Sequence, residues 1–225
     1  MTKINHIFKK VHGGYFGIIS AIIGLITLLI ASILQSLTEP FTMFTLFVSN
    51  LQQGPNGANI VFVIGFTFCI IIAIPFFIYL YQFLQEGSGK KDLILTIAFI
   101  SSMIGSSGII IAVIADYKLY LYVHWIGAMV FFFIMIITCI LFSISMIQNK
   151  KISKMQGITG FIVAPFFIIF LLFFWSTFFP PGLVFGIFYP GPNYELAKFT
   201  EWLAIFAFIA WILDLGIYLI KIDEI

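Results

Sequence analysis

The fold class this sequence predicts is all-α: a polytopic integral membrane protein, a bundle of six transmembrane helices. Three observations predict it. Hydrophobic residues fill 62% of the 225 positions and charged residues 9%, whereas a soluble domain carries about a quarter of its residues charged. The 29 phenylalanines would aggregate in water unless lipid covered them. Six apolar runs reach the length of about 20 residues that a helix needs to cross a bilayer. None of them alternates with a period of two, so they read as helices and not as barrel strands. Disorder, nucleic-acid binding and a soluble enzyme are excluded on the same grounds.

The runs lie near 15–38, 59–85, 92–115, 119–147, 155–179 and 195–220, in a single membrane domain over 1–225. Lys9 and Lys10 precede the first run as they would in a signal peptide. The run is about twice the length of a signal-peptide apolar region, and no small-x-small site follows it, so it reads as a retained helix. Pro75 and Pro165 fall inside the second and fifth runs. Each is expected to kink its helix and not to end it, because neighbouring helices can satisfy the freed carbonyl. The third run carries Ser101, Ser102, Gly105 and Ser106, spaced for close helix approach. It is joined to the fourth by little more than Asp116-Tyr117-Lys118, so the two are antiparallel neighbours. Trp125, Trp175 and Trp202 fall near helix ends and read as interfacial anchors.

The loops divide the two faces. All eleven basic residues are lysines. With the amino terminus inside, Lys3, Lys9, Lys10, Lys90, Lys91, Lys150, Lys151, Lys154 and Lys221 are inner, and Lys118 and Lys198 are outer. That bias puts both termini in the cytoplasm, while the phenylalanine, isoleucine and lysine bias with arginine absent suggests an AT-rich genome and a prokaryotic or archaeal plasma membrane. The inner loops, 86–91 and 148–154, are short. The outer loops, 39–58 and 180–194, are long and apolar for loops, with Phe41, Met43, Phe44, Leu46, Phe47 and Val48 in the first and Pro180 to Pro190 in the second. Such segments are expected to fold back over the bundle. Gly54-Pro55-Asn56 and Gly191-Pro192-Asn193 precede the second and sixth helices and read as turn and capping chemistry. Cys69 and Cys139 lie roughly 15 Å apart in depth at 1.5 Å per residue, too far for a disulfide.

Ionisable residues inside so apolar a chain are the main functional clue, because each costs several kcal/mol at mid-bilayer unless paired or solvated. His124 and Glu201 enter their helices from the outside and lie at matching depth, with Ser49, Asp116 and Asn59 on the same side. These five are the candidate ligand-binding residues. A His124–Glu201 hydrogen bond could fix packing. The group could bind a lipid headgroup or a small polar molecule. Ser49, His124 and a carboxylate could also act as nucleophile, base and orienter, although no glycine-flanked nucleophile motif surrounds Ser49. A permeation path is disfavoured, since no helix shows a continuous polar stripe. Zinc catalysis wants about three protein ligands, and one histidine lies within the bundle, so neither a metal nor a cofactor is expected. Asp214, near the inner boundary, is expected to pair with Lys90, Lys91 or Lys151.

Phe47-Val48-Ser49-Asn50-Leu51, Gly54-Pro55-Asn56-Gly57 and Asn59, with His124-Trp125-Ile126-Gly127-Ala128, Phe131-Phe132-Phe133 and Glu201-Trp202, form a pattern. It resembles a prokaryotic membrane family catalogued as domain of unknown function 998, similar in layout to the lipid-associated FRAG/DRAM/Sfk membrane proteins. In that family the first motif more often reads serine, acidic residue, leucine, glycine. Asn50 and Gln52 depart from it, so no acidic role carries over to position 50. The resemblance implies membrane lipids as partners and a lipid headgroup as ligand, with no activity to transfer.

The orientation is tested with an impermeant thiol reagent on intact cells. A cysteine at Gln52 is expected to react and one at Ser88 to resist; the reverse overturns the assignment.

Overall fold

In hydrocarbon no water is available to an open N–H or C=O, so each crossing segment has to satisfy its own backbone as a helix. The structure, a computed structural model, describes residue 8 and residues 11–88, 92–116, 118–178 and 194–223. The six spans are α1 (Gly13–Ser36), α2 (Ala58–Ser88), α3 (Leu93–Ile114), α4 (Leu121–Gln148), α5 (Lys154–Phe178) and α6 (Tyr194–Asp223). Every bound falls within 3 residues of the sequence expectation. The helices α2 and α5 run on through Pro75 and Pro165. A short 3-10 turn, Val48–Gln53, lies between α1 and α2.

Each helix packs on the next in the chain, and α6 closes on α1, giving a ring of six. Residue size sets the faces, because hydropathy hardly varies round each helix. In α1 the exposed side chains Ile22, Ile26, Leu29 and Ile33 form a stripe toward lipid. Its buried face carries Gly17, Ser20, Ala21, Gly24 and Ala31. Lipid tails are as apolar as leucine, so tight approach of small residues, and not burial from water, holds such helices together. At the α3–α4 seam a Cβ on Gly127 would stand 2.7 Å from the Gly108 carbonyl oxygen, and one on Gly108 would stand 2.8 Å from that of Gly127. The α1–α6 seam repeats this with Gly14 and Gly216. Ser101 and Ser102 turn their hydroxyls back to the Ala98 and Phe99 carbonyls of α3, at 2.9 and 2.7 Å, so they serve packing.

Aromatic rings fill the middle. Phe77 of α2 meets Phe142 of α4, Phe132 of α4 meets Phe170 of α5 at 4.2 Å between centroids, and Phe167 of α5 meets Phe208 of α6. The apolar cavity left beside Ser20, Cys69 and Ser106 holds about 30 Å³. Cys69 and Cys139 are both buried and free, and Ser20 Oγ donates to the Cys69 carbonyl at 2.8 Å.

The face that carries the ends of α1 and α6 is tied together by side chains. His12 caps α1 by accepting from the Gly14 N–H and also meets the Tyr79 hydroxyl. Asn149 donates to the Leu84 carbonyl at 3.0 Å, closing the end of α2. Asp214 accepts from the Gln156 side-chain amide of α5. This corrects the expected lysine pair: Gln156 lies beside Asp214 and reaches it across the α5–α6 seam, while positions 90 and 91 lie outside the described residues.

Gly127→Val tests the ring. Its methyls would collide with backbone that has no rotamer to move, so a loss of about 1–3 kcal/mol is expected, read as a lower melting temperature in detergent. An unchanged melting temperature would mean that α3 and α4 do not touch there.

Candidate functional site

The face opposite the termini is organised by the chain between α1 and α2. The segment 37–57 has to return across the open end of the ring without a helix of its own length, so its backbone polar groups need side-chain partners. Its phenylalanines supply the anchorage. Phe41 packs edge-on against Trp202 at 5.4 Å, Phe44 stacks on Phe199 at 4.5 Å, and Phe47 meets Phe174. The expected fold-back is therefore present for this loop. The other long loop, 180–194, and the Gly191-Pro192-Asn193 motif lie outside the described residues, apart from the backbone of Tyr194 that begins α6. Asn56, with φ 57°, donates to the Leu34 carbonyl and to Thr38 Oγ1, so it caps the end of α1.

Within that loop the 3-10 turn is held at both ends. Its first N–H groups have no partner inside the turn. Val48 N–H donates to Glu201 Oε2 at 2.6 Å, and the Ser49 N–H faces the same carboxyl. Asn50 Oδ1 accepts from Phe47 N–H at 2.8 Å, and Trp202 Nε1 donates to the Leu46 carbonyl at 2.9 Å. At the other end Gln52 Nε2 donates to the Val113 and Ala115 carbonyls at 2.7 and 2.8 Å. These are carbonyls from the end of α3, where intrahelical donors have run out. His124 Nδ1 donates to the neighbouring Ala112 carbonyl at 2.8 Å, with the Ala115 carbonyl and the Asp116 carboxylate also facing its ring. Gln53 Nε2 donates to Asp116 Oδ1 at 2.5 Å, and Asp116 also accepts from the Lys118 N–H.

Four of the five predicted residues thus gather round one short turn. Glu201, His124, Ser49 and Asp116 all belong to the network, with Glu201 and His124 buried. Their partners differ from expectation. Glu201 holds the start of the turn and His124 the end of α3, so the expected His124–Glu201 hydrogen bond is replaced by two bonds to backbone. Exposed backbone termini outcompete a side chain because nothing else at this depth can satisfy them. Ser49 contributes its N–H. Its hydroxyl makes no hydrogen bond to His124, so the nucleophile–base pair that catalysis would need is not assembled. Asn59 stands apart, exposed on the first turn of α2. Trp202 is 1% exposed, a buried clamp on the loop and not an interfacial anchor, whereas Trp175 is exposed.

Sequence reasoning missed Gln52 and Gln53, the two amides that join the turn to α3. The signal was present, since they are adjacent polar residues in an apolar loop. It also missed a polar depression of about 320 Å³ beside the turn, lined by Gln35, Thr38, Glu39, Asn50, Gln53 and Lys118 among others. Gln35 is an amide within the first apolar run, a signal of the same kind as His124. Gln52 is buried, so the exposed Thr45 is the better position for a thiol probe on this face.

A family model described as the Frag1/DRAM/Sfk1/Cwh43P N-terminal domain matches residues 13–215. No curated protein and no solved structure matches the chain. The match carries the FRAG/DRAM/Sfk side of the resemblance and runs from the start of α1 into α6.

Glu201→Ala and Gln52→Met test the clamp. Each N–H or carbonyl left without a partner costs about 1–3 kcal/mol, so both are expected to melt earlier and to expose the 37–57 loop to protease. Glu201→Gln keeps an acceptor oxygen and loses less. A Glu201→Ala protein as stable and as resistant as the wild type overturns the clamp.

Proposed function

The chain belongs to the Frag1/DRAM/Sfk1/Cwh43P N-terminal domain family, and from that premise we propose that this multi-pass membrane protein binds a lipid headgroup or a small polar molecule on its outer face. The observation that carries the reading is the polar depression beside the 3-10 turn. Its volume lies at the lower end of the range of about 300–1,000 Å³ usual for small-ligand sites. Glu201, Ser49 and His124 act here as positioning residues, since their polar atoms hold the turn and the end of α3. Asp116 holds the wall through Gln53.

The lysine distribution supports an outer location for this face and cytoplasmic termini, and the phenylalanine, isoleucine and lysine bias without arginine supports a prokaryotic or archaeal plasma membrane. The motifs at 47–57, 124–128 and 201–202 support a finer placement in the prokaryotic group of domain of unknown function 998. A Ser49-based lipid-modifying enzyme has less support, because Ser49 Oγ and His124 are not joined. A transporter or channel has less as well, because aromatic rings occupy the middle of the bundle.

Gln53→Ala and Asp116→Asn remove or weaken the bond that holds the wall. Lipid retained through detergent purification, counted by mass spectrometry, is expected to fall several-fold in both, while Ser49→Ala retains the wild-type amount. Unchanged retention in both wall variants overturns the binding reading. A lipid conversion abolished by Ser49→Ala would replace it with the enzyme.

A further inference from the structure

We infer that the depression takes a zwitterionic headgroup of the phosphoethanolamine or phosphocholine type, its phosphate against Lys118 and its ammonium against Glu39. This rests on the headgroup reading above and deepens it by naming the chemical class.

Two charges of opposite sign line the depression, Glu39 just after α1 and Lys118 between α3 and α4. Those elements are separated in the ring by α2. Among the described residues neither Glu39 nor Lys118 makes an ion pair, with the other or with anything else. Both stand exposed on the walls of one concave space. A simple anion there would meet the Glu39 carboxylate and a simple cation the Lys118 ammonium, each a like-charge contact. A ligand that carries both signs a few atoms apart satisfies both walls at once. With no arginine in the chain, phosphate has to be held by a lysine point charge and by neutral donors.

The neutral donors are present. Gln35 is 6% exposed, lines the depression, and makes no side-chain hydrogen bond among the described residues. A buried amide left unmade costs stability, and this one lines the depression. Its Oε1 is packed against Gly54, where a Cβ would come within 2.7 Å of that oxygen. A headgroup supplies what the Gln35 amide lacks: phosphate oxygens to accept from its N–H.

The test uses the full chain in vesicles of phosphatidylethanolamine, phosphatidylcholine and phosphatidylglycerol in equal parts. The protein is re-extracted in detergent, and retained lipid is counted by native mass spectrometry. Retention of the two zwitterionic lipids is expected to exceed that of phosphatidylglycerol about tenfold, the worth of one charge-assisted contact. Glu39→Gln is expected to admit phosphatidylglycerol and erase the preference. Lys118→Gln is expected to lower retention of all three about tenfold. Gln35→Met, close in volume but without the amide, is expected to lose lipid while keeping its melting temperature. Soluble phosphocholine and phosphoethanolamine, added during extraction, separate the two sources of the same chemistry. Displacement of the lipid supports a site for the free zwitterion, and retention against them supports the intact lipid. Equal retention of all three lipids, unchanged by Glu39→Gln, overturns the zwitterion and leaves headgroup binding standing. Wild-type retention no higher than that of Gln53→Ala overturns both.

Discussion

Irregular backbone at the edge of a bilayer has to find every hydrogen-bond partner within the protein, and the segment between α1 and α2 is built round that demand. The Glu201 carboxyl is the first of its anchors. By accepting from Val48 it fixes where the 3-10 turn begins, and the turn then delivers Gln52 to the end of α3. One loop thereby joins α6 and α3 across the mouth of the ring. Trp202, next to Glu201 in sequence, holds the same loop by its indole N–H and by its ring against Phe41. Placing the acid and the tryptophan side by side puts both anchors on the first turns of α6.

Below the loop the ring depends on a different economy. Helices in lipid gain little from burying leucine, so the seams are made where two glycines allow backbone contact, as at Gly108 with Gly127 and at Gly14 with Gly216. The large residues are then divided between two fates. Aliphatic stripes such as Ile22, Ile26, Leu29 and Ile33 face outward, and phenylalanines from α2, α4, α5 and α6 interlock inside. This accounts for much of the unusual phenylalanine content. A closed ring of thick helices leaves a central volume that broad flat side chains fill well.

The polar residues near the turn serve two ends. Glu201, His124 and Gln52 are spent on backbone. Gln35, Glu39, Gln53 and Lys118 line a concave space. Glu201 and His124, which drew notice as the costliest residues to bury, therefore act as supports for a site whose proposed contacts are their less conspicuous neighbours. Burial cost marks where structure is demanding, and the groups proposed to face the ligand stand beside it.

Composition and run length determined the membrane class, the number of spans and their ends, because crossing hydrocarbon is a local requirement that each segment meets alone. They did not determine faces and partners. With nearly every residue apolar, periodicity could not tell lipid side from core side, and the division by size became visible only once the helices were packed. Val48 and Glu201 lie 153 positions apart, and Gln52 and Val113 61 apart. Which backbone group each polar side chain would satisfy was decided by the ring's closure, since that alone brings the first loop over the start of α6 and the end of α3.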